Sequence, residues 1–539
     1  VKRYAWAAPG DVNAFCGLAL DNIANLVLTV SLLQVTVQFP ASFVLSYMIP
    51  GTALGVLLGD LWFTRMAFRL ARRTGGQVTA MPLGLDTPST IGMILFVLGP
   101  AFLDARARGL DELAAAHFAW RIGMCAMIAS GLFKLACALV SNSLRSTLPR
   151  AGLLGSLTAI ALVLISFLPL LEILHLPIVG ILSLAVVLAT LVAHLRFPGG
   201  IPGALGALLL AMAAYYALLM LGHLPTAGES HELTDLLDIR WPLPTLVWIE
   251  SFRESLPYLP VVLPFALATV VGGIDCTESA AAAGDEYNAG EVVATEAIAT
   301  LAAGLCGGVI QTTPYIGHPA YKKMGGRAAY TLATALFIGG AGIFGYFAAI
   351  YEFIPRAAIF PILVFVGLEI TAQSFRATAL RHYPAVALAC VPALGYLALI
   401  FVDPLVRQLG FAKLDPSQQV QIQTLRVLAG GFILTSLLWA SLLASLIDRR
   451  LRRAAAYAGV AALFSLFGII HSPFAGSPMF LPWSLPDRAE LSTTLTPTTL
   501  ATAYLLAGGV FLVWSLLPRG MASEPPLEEL AATEHAGQE

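Results

Sequence analysis

The sequence predicts an all-α polytopic membrane protein with an inverted internal repeat. Three observations predict it: apolar runs that recur along the whole chain, a scarcity of charge, and two matched places where a run is interrupted by a strand-like segment. Of 539 residues, 58% are hydrophobic and 12% charged, and the mean hydropathy is +0.80. Soluble chains are about half apolar and a quarter charged. The runs lie near 11–36, 41–64, 86–101, 118–142, 150–170, 175–195, 201–222, 258–283, 289–308, 316–325, 328–351, 355–374, 383–402, 424–447, 453–470 and 497–517. Most reach the length, about 17 to 25 residues, that a helix needs to cross a hydrocarbon layer. No short cleavable leader is expected ahead of the first run.

Cys16, Cys125, Cys137, Cys276, Cys306 and Cys390 lie mostly inside the runs without CxxC spacing. They predict neither a disulfide framework nor a metal site. Between the seventh and eighth runs comes a polar connection with Glu229, Glu232, Asp235 and Asp238, followed by Trp241, Trp248 and Phe252. It reads as an interfacial amphipathic stretch. The acidic, small-residue tail from Met521 to Glu539 reads as disordered.

Basic loops set the orientation. RMAFRLARR after the second run, Arg145 and Arg150 after the fourth, KKMGGR after the tenth and DRRLRR after the fourteenth fall on one side, as do Lys2 and Arg3. The positive-inside rule makes that side cytoplasmic, so both termini are expected there. The Arg-heavy, Ala/Leu-rich composition suggests a bacterial inner membrane.

Two stretches break the pattern, GGQVTAMPLGLDTPSTIGM at 75–93 and GGVIQTTPYIGHPAYKKMGG at 307–326. Each reads as a short strand, a Pro/Gly break and a half-length helix. Pro82, Gly84 and Pro88 in the first parallel Pro314, Gly317 and Pro319 in the second. GLALDNIAN at 17–25 can likewise be laid on GGIDCTESA at 272–280, which brings Asp21 close to Asp275. Both correspondences are seven runs apart. Seven is odd, so the two halves insert with opposite orientation and the two breaks meet near the bilayer centre.

Non-helical backbone in lipid costs several kcal/mol per unsatisfied polar group, so these breaks must be buried in protein or line a cavity. The free N–H groups that start a half-helix carry partial positive charge and suit a carbonyl, a carboxylate or another anion. Ionisable groups inside the runs point the same way, because each costs about 2.5 to 3.5 kcal/mol at bilayer depth. Asp275 and Glu278, at i and i+3, share a helix face and form a pair suited to proton coupling. Asp21 lies in the first run, and His318 stands at the second half-helix. Asp86, beside Thr87, either caps the first half-helix or lines the site. Lys134, inside the fourth run, either snorkels or neutralises one of these acids.

FALATVVGGIDCTES, continued by ATEAIATLAAGLCGGVIQTTPYIGHPAYKKMGGRAAYT, resembles the core of the nucleobase:cation symporter family, the xanthine/uracil permease class, nearest its hypoxanthine/guanine permease branch. That branch carries an Asp-Thr pair in its eighth span and a TTxYIE…GGRTGLT-like run at its tenth. Thr312, Thr313, Tyr315, Ile316, Gly325, Gly326, Arg327 and Thr331 match the latter, and IPRAAIFPILVFVG at 354–367 is similar to the family's twelfth span. The resemblance implies a 7+7 inverted-repeat transporter. Its core domain would comprise 1–142 and 258–351, and its gate domain 143–257, which includes the amphipathic connection, and 352–447. Two extra spans would follow in 448–518, then the tail 519–539.

On this resemblance a homodimer is expected, with substrate held between core and gate and a carboxylate of the eighth span, here Asp275, on the substrate's edge. Where the branch has Glu after Tyr-Ile, this chain has Gly317 and then His318. An imidazole reads a different edge from an acceptor-only carboxylate.

The first expectation is therefore secondary active transport of a purine-like nucleobase or a similar heterocycle, coupled to H+ or Na+. Asp275, Glu278, His318, Thr312, Thr313, Tyr315, Gly317, Asp86, Thr87 and Asp21 would bind it, with Asp275, Glu278 and His318 as coupling residues. The second is transport of a small anion, a carboxylate or an inorganic oxyanion, on the same fold. An enzyme is not expected, since no HExxH, no GxSxG in a suitable context and no Walker sequence occurs. Nor is a cofactor beyond the coupling ion or a nucleic-acid partner.

Overall fold

The apolar runs become helices because a helix satisfies its own backbone, which lipid cannot do. The computed structural model describes residues 4–139, 150–224, 241–315, 317–485 and 495–517. The acidic residues 229–238, the basic Lys2, Arg3 and Arg145, and the tail 521–539 lie outside these. The protein is a mostly helical polytopic membrane protein with the 7+7 inverted-repeat fold. Among the described residues ten helices are long and apolar enough to cross a bilayer, or twelve when two bent pairs each count as one span.

In chain order the elements are α1 (Gly10–Val37), α2 (Ala41–Thr74), β1 (Leu83–Leu85), α3 (Thr87–Ala107), α4 (Glu112–Leu139), α5 (Ala151–His175), α6 (Pro177–Val192) and α7 (Gly203–Met220). The second half continues with α8 (Leu259–Ala282), α9 (Ala289–Leu305), β2 (Thr312–Pro314), α10 (His318–Lys323), α11 (Ala329–Ile343), α12 (Tyr346–Phe353), α13 (Arg356–Arg376) and α14 (Tyr383–Leu409). Last come α15 (Pro416–Ala429), α16 (Phe432–Ile447), α17 (Leu451–Leu466) and α18 (Pro497–Leu516).

Two expected spans are bent, and glycine is the reason. The run at 328–351 turns by 96° between α11 and α12, and the run at 424–447 by 69° between α15 and α16. Gly345 and Gly431 take φ of 74° and 63° at these corners, where a Cβ would be strained. Proline loosens other helices without breaking them. Wider π turns at Val44–Met48 and Ile94–Leu98 each end two residues before a proline, Pro50 or Pro100, whose missing N–H and ring disturb the preceding turn.

Packing divides the chain into two compact units, Val1–Arg145 with Ile165–Val366 and Ser146–Leu164 with Gly367–Glu539. This partition differs from the expected core and gate, since α6 and α7 fall in the same unit as α1 to α4 and α8 to α11. In the first unit Ala14 and Leu18 of α1, Leu70 and Ala71 of α2, Tyr321 of α10 and Tyr330 of α11 form a buried cluster around Val78 and Ala80, the chain leading into β1. In the second unit α14 and α16 pack through alanines, Ala385 and Ala389 against Ala440 and Ala444. There α17 and α18, the extra C-terminal helices, lie side by side. His471 bridges them to the unit, its Nδ1 donating to Val427 O (2.7 Å) and its Nε2 meeting the Tyr504 hydroxyl (2.7 Å).

One carboxylate joins the ends of two helices in the first unit. Asp11, in the first turn of α1, accepts from Ala8 N (2.7 Å) through Oδ2, and through Oδ1 from Arg327 N (2.8 Å) and Tyr330 N (3.1 Å) at the start of α11. It therefore supplies the cap that α11 lacks in its own sequence. Asp11→Ala is expected to cost about 1–2 kcal/mol and to lower the thermal midpoint of the purified protein, whereas Asp11→Asn, which keeps an acceptor oxygen, should recover most of the loss.

Candidate functional site

The two breaks meet. β1 and β2 pair antiparallel with Leu83 opposite Pro314, Gly84 opposite Thr313 and Leu85 opposite Thr312. The pairing continues one step either side, through Tyr315 N to Pro82 O (2.8 Å) and Asp86 N to Gln311 O (2.9 Å). Each strand runs directly into a helix, so α3 and α10 start from the same crossing.

A two-stranded sheet exposes two outer edges, and nothing at this depth but protein can satisfy them. On β1, Leu83 N donates to Asp60 Oδ1 of α2 and Leu85 N to Asn22 Oδ1 of α1, both at 3.0 Å. On β2, Thr312 N donates to Thr300 Oγ1 of α9 (3.4 Å), Thr312 O accepts from Lys134 Nζ of α4 (3.0 Å), and Pro314 O accepts from Cys276 Sγ of α8 (3.4 Å). Pro314 has no N–H to satisfy, which is why a proline is tolerated in this strand. Each repeat thus uses its own first two helices to cover its own strand. The fourth helix reaches across, Lys134 of α4 to β2 and Tyr330 of α11 to Ala80 O (2.6 Å), just before β1.

The residues predicted for the site separate into three groups. Asp21 reaches the crossing: its Oδ2 lies 3.6 Å from where a Cβ on Gly84 would be, and the Tyr315 ring stands at 3.9 Å from the same point. Thr313, Tyr315, Gly317, Asp275 and Glu278 are half-buried and form the accessible margin. At Gly272, one turn before Asp275 on α8, a Cβ would meet no atom within 4 Å, so there is open space at that position. Asp86, Thr87 and Thr312 are buried. Asp86 does cap α3, its Oδ2 accepting from Ser89 N at 2.8 Å. Gly317 caps α10 with no side chain.

His318 is turned away from that margin. Its ring is fully buried, with Nε2 3.2 Å from both Asp285 Oδ2 and Thr79 O. Asp285, in the loop after α8, also takes Lys322 Nζ (2.8 Å) on Oδ1 and Thr79 N (3.1 Å) on Oδ2. Burial alone would raise the Asp285 carboxyl, but the donors His318, Lys322 and Thr79 outweigh it and hold the group below the ordinary carboxylate range. The imidazole is thus one part of a tether joining α10 and the lead-in to β1 to the end of α8.

Sequence reasoning missed Asp60 and Glu296. Lys134 neutralises an acid, as one of its two readings held, but that acid is Glu296: Nζ lies 2.6 Å from Oε1, both side chains fully buried. The signal was present, since Asp60 in LLGDLWF and Glu296 in ATEAIAT are acids within apolar runs. Asp285 gave no such signal because it sits in a polar loop.

No family model matches the chain, and no curated protein matches it. Among solved structures it is similar to the transmembrane domain of a cyanobacterium bicarbonate transporter, BicA, at 18% identity and TM-score 0.45, over 75% of this chain and 97% of that one. It is also similar to SLC26A9 at 14% identity and TM-score 0.47, over 72% of this chain and 62% of that one. The murine Solute Carrier 26 family member A9 anion transporter, in the inward-facing state, matches at 13% identity and TM-score 0.49, over 76% and 69%.

These findings overturn the resemblance to nucleobase:cation symporters, and with it the nucleobase cargo: no model of that family matches, and the solved neighbours are described as bicarbonate and anion transporters. The matching residues serve the fold. Thr312 bonds at the strand edge, the Thr331 hydroxyl meets that of Thr64 at 2.8 Å, Gly325 takes φ of 84°, and Arg327 N is held by Asp11. They mark a strand-and-half-helix break, whatever it carries.

Two outcomes test this geometry. Asp60→Leu strands the buried Leu83 N–H and should cost about 1–3 kcal/mol, with faster amide exchange at Leu83 and Leu85 by mass spectrometry, while Asp60→Asn should leave exchange near wild type. For Asp285 the folded carboxyl lies below its unfolded value of about 3.9. Its contribution is therefore complete above that pH and is lost as pH falls through the lower folded value. Acid denaturation followed by tryptophan fluorescence should lose that component in Asp285→Asn.

Proposed function

We propose that the protein is a carrier of a small anion, a carboxylate or an inorganic oxyanion, bound at the accessible margin of the β1–β2 crossing. The observation that carries this reading is the chemistry of the second break: Thr313 and Tyr315, which carry hydroxyls, are half-buried there, and the cap position of α10 is Gly317, with no side-chain acceptor. A buried ammonium, Lys134, lies directly behind the same strand. Asp275 and Glu278 flank the margin with negative charge, so the anion enters with a compensating cation, and H+ or Na+ is the coupling ion on this reading. Placement in a bacterial inner membrane with both termini cytoplasmic belongs to the same proposal and rests on the basic loops.

Purified protein in liposomes should accumulate radiolabelled bicarbonate, sulfate or acetate against an imposed ion gradient, and excess uracil or hypoxanthine should not compete. Gly272→Leu projects a side chain from α8 one turn before Asp275, at a position whose Cβ meets no atom within 4 Å. It should lower uptake about tenfold, equivalent to about 1.4 kcal/mol, while elution and thermal stability stay at wild-type values. Absence of uptake for every anion in the panel defeats the reading.

A further inference from the structure

Behind β2, two carboxylates face one ammonium. Lys134 and Glu296 are fully buried and 2.6 Å apart, and Asp86, 8% exposed at the start of α3, lies within electrostatic reach of both. With both acids ionised the cluster would carry a net charge of −1 in the membrane interior, where one uncompensated charge costs about 2.5–3.5 kcal/mol on the most lenient scale. Among the described residues no other neighbour supplies the balance. Thr269 of α8 faces Glu296 but gives its hydroxyl proton to Ala266 O (2.9 Å). Cys276 is a neutral thiol turned to Pro314 O, and Gln311 is an uncharged amide with neither side-chain atom partnered. Asp275, within reach of Cys276 as Glu296 is, adds only negative charge, and Asp60 of α2 is committed to Leu83 N.

The two acids are not equivalent. Asp86 is engaged as a helix cap through Ser89 N, a setting that favours the carboxylate. Glu296 Oε2 is buried without a hydrogen-bond partner, against Gly273, where a Cβ would lie 2.9 Å away. We propose that Glu296 binds one exchangeable proton, so that the Asp86–Lys134–Glu296 cluster is neutral and forms a proton site built into the back of the crossing. The proton comes from hydronium and returns to water. When it leaves, the Glu296 carboxylate draws more strongly on the same Lys134 Nζ that donates to Thr312 O, so proton occupancy is felt by β2. On the anion-carrier reading, on which this last step rests, the coupling ion is therefore H+.

The full chain in lipid nanodiscs, studied by pH-difference infrared spectroscopy without any transported solute, tests the site. A protonated-carboxyl C=O band is expected that disappears as pH is raised, shifts when the protein is labelled with carboxyl-13C glutamate and not with labelled aspartate, persists in Glu278→Gln and is lost in Glu296→Gln. Should Glu296→Gln fail to fold, Glu296→Asp should move the label sensitivity from glutamate to aspartate. A band that is absent, that follows only the aspartate label in the wild type, or that survives Glu296→Gln overturns the proposal. Because no anion is present, this result is independent of whether the carrier reading stands.

Discussion

Three residues paired with three others, Leu83–Leu85 against Thr312–Pro314, set the terms for the rest of the first unit. A strand pair of that length has no stability of its own in water and no solvent to complete it in lipid. Its outer N–H and C=O groups must be met by side chains, and those side chains must arrive on helices that are already fixed. Asn22, Asp60, Lys134, Cys276 and Thr300 are therefore less a binding site than a frame.

The inverted repeat is visible in how this frame is divided. Helices α1 and α2 serve β1, helices α8 and α9 serve β2, and α4 and α11 cross over. The halves have nevertheless diverged at the helices they start. α3 continues for 21 residues and carries its own acidic cap. α10 is six residues long, capped by Gly317 and tethered through His318 and Lys322 to Asp285. Charge follows the same asymmetry: a buried ammonium stands behind β2, and a carboxylate stands behind β1. The two repeats thus present unlike faces at the crossing.

The fold was legible because its main constraint is written in residue types. Pro82, Gly84 and Pro88, then Pro314, Gly317 and Pro319, interrupt apolar runs in ways only a broken helix tolerates, and their spacing seven runs apart revealed the repeat. The site was legible in part. Asp86 declared both of its possible roles, and the cap is the one found. Lys134 declared two, and its partner was Glu296, an acid inside an apolar run that was left out of account. His318 misled, since its engagement with Asp285 joins segments distant in sequence, a three-dimensional fact with no local periodicity. The likeness to nucleobase symporters failed for a related reason: residues needed to build a strand and half-helix break recur wherever that break is built.

The crossing also bears on how the protein comes to be made. Thr312, the carbonyl that Lys134 holds, follows it by 178 residues, and Glu296, its counter-ion, belongs to the same later half. A chain emerging from the ribosome delivers the first four helices to the bilayer with an ammonium that has neither partner, and with a strand whose mate has not been synthesised. The amino-terminal half is thus a biosynthetic intermediate with an unmet debt of charge and hydrogen bonds, one that the translocon or a membrane chaperone must shelter until the second half arrives. Fusion of the two halves into one polypeptide makes that wait short and guarantees that each half meets its own complement.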